Sequence, residues 1–152
     1  EHALTFARQN LMKGYYGQQN YDKAVTYAET VLQQQKLDPK IASDARVIVA
    51  RSAFFSGDMY KAQETFSEIE KTASGEIKAE AVYYDAYFKN SEGNYKLSNV
   101  SVQKLATDHA NHQYWGAKGL IIMAKNFLHW KMPIRLLIFW KVSFKSSLPM
   151  MM

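Results

Sequence analysis

The chain contains no cysteine and very little proline or glycine, with only 3 and 7 of these residues among 152. Without cysteine there is no disulfide framework, no thiolate metal site and no cysteine nucleophile. The scarcity of turn-forming residues disfavours a sandwich or barrel of many short strands. Hydrophobic residues make up 47% and charged residues 22%, a composition typical of globular proteins. The length fits one ordinary domain or a short repeat array.

Acidic residues are absent after Asp108, and this absence shapes the net charge of +5. Setting aside the three basic residues after Met132 leaves 16 of the 19 basic residues against 14 acidic ones. The body is therefore nearly neutral, which disfavours a nucleic-acid partner because phosphate binding needs concentrated positive charge. No apolar run reaches the roughly 18–20 residues that span a bilayer, so we expect no membrane span.

Small and apolar residues recur at three-four spacing, a pattern that predicts α-helices. Ala24, Ala28 and Val31 form one such stripe, and Ala62, Phe66 and Ile69 form another. Strict alternation, the signature of strands, is rare. Helix breaks are predicted at 17–20, 37–40, 56–58, 72–75, 90–94 and 109–112.

Three segments align as an internal repeat: QNYDKAVTYAETVL, GDMYKAQETFSEIE and GNYKLSNVSVQKLA. Each opens with a polar turn and continues as an amphipathic helix with a small residue near its start. A second small or apolar site precedes each turn, where two antiparallel helices would cross closely. The sites before the turns are Met12, Ala50, Ala86 and, in a fourth unit, Ala124, and those after the turns are Ala24, Ala62 and Ser98.

This pattern resembles the tetratricopeptide repeat (TPR) family, in a divergent bacterial form with units longer than the consensus. The resemblance implies an all-α, right-handed α-solenoid of antiparallel helix pairs over residues 1–131. The units would span about 3–38, 41–75, 77–110 and 115–131. Long units of this kind favour a cell-envelope or periplasmic protein of bacteria. An irregular all-α bundle with accidental self-similarity is the alternative interpretation.

The resemblance also implies a non-enzymatic function, in which the concave face formed by the first helices binds a protein or peptide segment. One position per unit, just after the small site, would line that face, and three of the four residues there are basic. An acidic partner segment is therefore the hypothesis. The alternative is a purely structural repeat segment that packs on neighbouring domains or self-associates. The candidate partner-binding residues are Lys13, Arg51, Phe54, Tyr83, Tyr87 and Lys125.

Motifs for catalysis or cofactor binding are absent from the sequence, so we expect no enzyme activity and no cofactor. His109 and His112 form an H-x-x-H without a carboxylate close by in sequence to complete a metal site. The carboxylates from Glu64 to Glu76 have the spacing of solvated helix faces. Aromatic residues around Tyr83 and Tyr87 are interpreted as core, although such residues also stack on single-stranded nucleic acid.

The segment 132–152 departs from the repeat and has a basic, apolar composition. One base could have been lost from the coding sequence just before the Met132 codon. Restoring it forces alanine at position 133 and glutamate at position 141, and allows a small residue at position 136. That is where the repeat register expects one, so our hypothesis is a frame-shifted second helix of the fourth unit. A genuine hydrophobic C-terminal cap is the alternative. Because the segment is strongly apolar, it predicts tail-mediated self-association.

Overall fold

The computed structural model describes residues 2–129, and over this range the chain is all-α, with seven helices and no strand. None of the described helices is long and apolar enough to cross a membrane. The helices are α1 (His2–Gly17), α2 (Tyr21–Leu32), α3 (Pro39–Ser56), α4 (Met59–Thr72), α5 (Gly75–Ser91), α6 (Tyr95–Asp108) and α7 (Gln113–His129).

Most turns between helices lie where the sequence predicts them, and capping side chains explain why. The carboxylate of Asp38 accepts hydrogen bonds from the backbone N–H groups of Lys40 and Ile41 at the start of α3. Asp58 caps α4 in the same way. Gly57 ends α3 with a φ of +90°, a left-handed conformation that costs glycine little because it has no Cβ. The breaks at 17–20, 56–58, 72–75, 90–94 and 109–112 are thus confirmed. The break predicted at 37–40 begins earlier, because α2 ends at Leu32 and α3 already starts at Pro39.

The described residues divide into two compact units, of which unit 1 ends at Ala73 and unit 2 begins at Ser74. In unit 1, α1 packs on α2, α2 on α3 and α3 on α4, and α1 also lies beside α3. In unit 2, α5 packs on α6, α6 on α7, and α5 lies beside α7. We call α1, α3, α5 and α7 first-type helices, because each would open a helix pair of the predicted repeat, and α2, α4 and α6 second-type helices. In each unit, two first-type helices lie next to one another and a second-type helix packs against both.

The core of unit 1 is apolar and contains the predicted small sites. One cluster joins α1, α2 and α3, and Ala50, Ala62 and Phe66 are buried in α3 and α4. The small side chains of Ala50 and Ala62 let the backbones of α3 and α4 approach closely. The cluster consists of Met12, Ala24, Ala28, Val31, Ala45, Ile48 and Val49.

The core of unit 2 is partly polar. The Ser98 hydroxyl of α6 donates to the Ala86 carbonyl of α5 at 2.7 Å, at the predicted crossing of the two helices. The Asn126 amide of α7 is fully buried and donates to the Ser98 hydroxyl at 2.9 Å and to the Asn99 side chain at 2.7 Å. It accepts from the Asn90 amide of α5 at 2.6 Å. This ladder of hydrogen-bonded side chains links α5, α6 and α7.

One sequence expectation needs correction: Ala124, assigned to the fourth small site, is exposed, whereas Ala50 and Ala86 are fully buried. The close approach in α7 occurs at Gly119 instead, where an added Cβ would lie 2.9 Å from a methyl carbon of Leu105 in α6. The predictions of a frame-shifted second helix and of tail-mediated self-association concern residues 132–152, which lie outside the described residues.

Candidate functional site

The candidate residues of unit 1 lie on α1 and α3, which run side by side. Lys13 of α1 is exposed, and its ammonium forms an ion pair with the Asp44 carboxylate of α3 at 3.0 Å. Arg51 and Phe54 of α3 are half-buried. The structure therefore brings Lys13 to the α1–α3 seam, where its charge is already balanced by a carboxylate of the same unit.

The candidate residues of unit 2 lie on α5 and α7, which are also adjacent. Tyr83 is buried, with 9% of its surface exposed, and Tyr87 is half-buried. Lys125 of α7 is exposed and forms no ion pair with any described residue. Two of the three predicted residues thus contribute aromatic surface, and the third contributes an open positive charge.

A lysine surrounded by aromatic rings occupies the α5–α7 seam. The Lys118 ammonium of α7 lies 4.6 Å from the ring centre of Tyr83, 5.0 Å from that of Trp115 and 5.3 Å from that of Tyr114. The Trp115 ring packs on Tyr83 at 5.4 Å and on Tyr114 at 4.9 Å. We call Tyr83, Tyr114, Trp115 and Lys118 the lysine–aromatic cluster.

The electrostatics of this cluster leave the positive charge of Lys118 uncompensated. The ring faces attract the ammonium through their quadrupoles, but they carry no net negative charge. No carboxylate within 2–129 forms an ion pair with Lys118. Burial raises the pKa of Tyr83, with Tyr87 and Tyr114 adding to the effect, so its phenol stays neutral. The cluster therefore presents a cation and aromatic surface together.

Part of the cluster is open to solvent. Tyr114 is 64% exposed and Lys118 is half-buried, while Trp115 and Tyr83 form the buried floor. The spacing of α7 places Tyr114, Lys118 and Lys125 on one helix face, because residues four and seven apart lie nearly above one another. A binding partner can therefore reach both lysines and one tyrosine from the same side of α7.

Sequence reasoning missed Tyr114, Trp115 and Lys118 as candidate site residues. The signal was present, since Lys118 precedes Lys125 by two helical turns and shares its face. Only the packing of α7 beside α5, however, brings the Tyr83 ring over the Lys118 ammonium.

A second polar group in unit 2 consists of Asp85, Lys89 and Ser101. The Asp85 carboxylate accepts from the Lys89 ammonium at 2.6 Å and from the Ser101 hydroxyl, and Lys89 also donates to Ser101 at 3.0 Å. The Asp85 carboxylate that accepts from the Ser101 hydroxyl is already ion-paired to Lys89. Ser101 is only 4% exposed. The group joins α5 to α6.

The two histidines of the H-x-x-H lie near each other, with ring centres 6.3 Å apart. Burial lowers the pKa of His109, and His112, Lys104 and Lys78 lower it further, while Asp108 opposes them. No three histidine or carboxylate side chains of the described residues are grouped so that they could hold a metal ion.

Two hollows of unit 1 lie near its turns. One, of about 440 Å³, is bordered by the α1–α2 turn and by Ser56. Another of about 220 Å³ lies between α2, the end of α3 and the start of α4, with Asp22, Asp58 and Lys61 on its walls. Asp58 already caps α4 and Lys61 pairs with Glu29, so these charges have structural roles.

No protein-family model, curated protein or solved structure gives a significant match to this chain.

Proposed function

We propose that the chain is a non-enzymatic protein-interaction scaffold, built as a TPR-like solenoid, that binds an acidic partner segment along its first-type helices. The lysine–aromatic cluster of unit 2 is the observation that carries this proposal. Aromatic residues supply large contact area at protein interfaces, and lysine ammonium groups donate to carboxylates. A cation held on rings, without a carboxylate of its own, remains available to a carboxylate from outside.

The spacing of the two lysines indicates the form of the partner segment. Lys118 and Lys125 are seven residues apart, which corresponds to about 10.5 Å along the helix. Three residues of a polyproline II segment span ~9.3 Å and return to the same face. An extended segment with an acidic residue at every third position would therefore bring successive carboxylates to the two ammonium groups, with apolar residues placed against Tyr114 and Tyr87.

A direct binding measurement tests the proposal. The probe is a fluorescently labelled peptide with aspartate at every third position and proline or phenylalanine between, and its matched control has glutamine in place of aspartate. We expect saturable binding of the acidic probe only, weakening as salt is raised because exposed charge pairs are screened.

The variant that tests the site is the double substitution Lys118→Gln with Lys125→Gln. Lys96→Gln is the matched control, because Lys96 is an exposed lysine on α6, a second-type helix. We expect the double variant to lose most of the affinity and the control to retain it. If the double variant binds the acidic probe as the unaltered chain does, this surface is not the binding site.

A purely structural array is the second candidate function, and one observation on α1 favours it. Ala7, Leu11 and Gly14 hold the same positions relative to Met12 as Ala45, Val49 and Ser52 hold relative to Ala50. On α3 these positions are buried, with Ala45 and Val49 in the cluster shared with α2, but on α1 they are exposed. A neighbouring domain could cover them. Failure of every acidic probe to bind would favour this function.

A further inference from the structure

One side of α7 is an exposed apolar surface, which we call the α7 stripe. Leu128 is 81% exposed, Ile121 59% and Leu120 47%. Ala117 and Ala124 are exposed between them, at the spacing of one helix face. Leucine and isoleucine side chains grouped along a face in this way mark an interaction surface rather than scattered surface residues.

The α7 stripe has the same construction as a helix face that is covered in unit 2. On α5, Ala79 and Val82 precede Ala86 by seven and four residues, and all three are buried. Ala117 and Leu120 precede Ala124 by the same intervals. α6 covers the α5 face, and its Ser98 hydroxyl donates to the Ala86 carbonyl. A helix with a small residue at its crossing point would fit the α7 stripe in the same way.

The charges on α7 indicate which kind of helix could cover the α7 stripe. α7 contains no acidic residue, and Lys118 and Lys125 lie along one flank of the stripe. A second copy of α7 would place two purely cationic helices together. The chain's own residues after Met132 include Arg135, Lys141 and Lys145 and no acid. Opposite charge along the flank of an interface favours association, so the surface matches an acidic helix.

We infer that the α7 stripe binds an amphipathic α-helix of another protein, which carries a small residue at its centre and acidic residues along its flank. This inference goes beyond the proposed function, because its ligand is a helix that packs on the apolar residues around Ala124, whereas the proposed function concerns an extended segment bound by Lys118 and Lys125. The stripe borders the face with the lysines, since Ile121 lies seven residues after Tyr114 and four before Lys125. The apolar contact supplies most of the binding free energy, and the lysines orient the helix.

The probe for this surface is a labelled, end-blocked peptide with the sequence of residues 58–73. On α4 this sequence presents Ala62, Phe66 and Ile69 on one side and three glutamates elsewhere. One control peptide carries lysine in place of the glutamates, and a second carries Ala62→Leu. We expect the full chain to bind the probe in fluorescence anisotropy, and both control peptides to bind at least tenfold more weakly.

Variants of the full chain locate the binding. Ala124→Trp fills the centre of the stripe and Leu120→Lys adds charge to it, and both positions are exposed, so folding is retained. We expect each to weaken probe binding at least tenfold. Val100→Lys is the control, because Val100 is an exposed apolar residue of α6. Ala124→Trp should leave binding of the extended acidic probe unchanged, which separates this inference from the proposed function.

A photoreactive leucine analogue at position 120 of the full chain identifies the occupant. Cross-linking to the acidic helix supports the inference. Cross-linking to a second copy, or to the chain's own residues after Met132, in preference to the helix would overturn it. Probe binding that is unaffected by Ala124→Trp and Leu120→Lys would overturn it as well.

Discussion

The two units place different chemistry at the same position of the repeat. In unit 1 the α1–α3 seam holds the exposed Lys13–Asp44 ion pair. In unit 2 the residue that corresponds to Asp44, six before the small-site alanine, is Lys118, and it lies among aromatic rings. Tyr87 likewise replaces Lys13. The cation of unit 1 is therefore neutralised within the fold, whereas that of unit 2 is available to a partner.

The cores of the two units also differ in the hydrogen bonding of a buried polar side chain. Ser52 and Asn126 each follow a small-site alanine by two residues, and both are fully buried. The Ser52 hydroxyl has no hydrogen-bond partner among residues 2–129, whereas Asn126 bonds to three side chains. At this position both units bury a polar side chain, but only in unit 2 do the surrounding residues provide hydrogen-bond partners for it.

The largest expected effect comes from removing the buried amide of Asn126. Asn126→Ala leaves polar atoms of Ser98, Asn99 and Asn90 without their partner, which should lower the free energy of unfolding by about 2–3 kcal/mol. Ser52→Ala removes only an unpaired hydroxyl and should be neutral or slightly stabilising. Urea unfolding followed by circular dichroism measures both. Equal destabilisation by the two substitutions would contradict this distinction between the cores.

The next effect concerns the helix crossings. Ala62→Leu overpacks the α3–α4 crossing and should cost roughly 1–3 kcal/mol. Ala124→Leu adds the same side chain at an exposed small site, where the change should stay within about 0.5 kcal/mol. Thermal unfolding of the two variants provides the comparison. A melting curve unaltered by Ala62→Leu would count against the repeat register.

A smaller effect is expected on binding. Lys118→Gln should weaken the acidic probe about three- to fivefold, the equivalent of ~0.7–1 kcal/mol for one exposed charge pair. Arg51→Glu together with Lys13→Glu reverses two charges of unit 1. Affinity at low salt that is unchanged by this pair would restrict the binding site to unit 2. A loss as large as that of Lys118→Gln would show that both units contribute.

The smallest effect is a pH response confined to unit 2. The pKa of His109 is lowered in the fold, so the neutral imidazole is favoured there. Below the ordinary value of 6.5 the unfolded chain takes up the proton first, and the stability of unit 2 should fall as the pH drops. His109→Gln should remove this decrease. The test is the urea midpoint of the unaltered chain and of His109→Gln, measured about one pH unit above and one below 6.5. An equal decrease of the midpoint in the two proteins would contradict the prediction.

The sequence predicts the all-α class, the turns and most small sites, because capping residues and helical spacing act locally. Ala24, Ala50 and Ala62 are buried as expected. The lysine–aromatic cluster and the Asn126 ladder depend on distances between helices that are far apart in sequence. Lysine and asparagine usually lie at the solvated surface, so the sequence alone gives no sign of the roles of Lys118 and Asn126. Only the packing of α7 on α5 and α6 reveals them.

The Asn126 ladder also limits how far the repeats of this chain can be exchanged. Helices α2 and α3 meet through alanine, valine and isoleucine, a contact that another apolar repeat could reproduce. Helices α6 and α7 instead recognise each other by matched donors and acceptors at Ser98, Asn99 and Asn126. A chimera that takes one of these two helices without the other would lose the match, so α6 and α7 form a single module for repeat engineering.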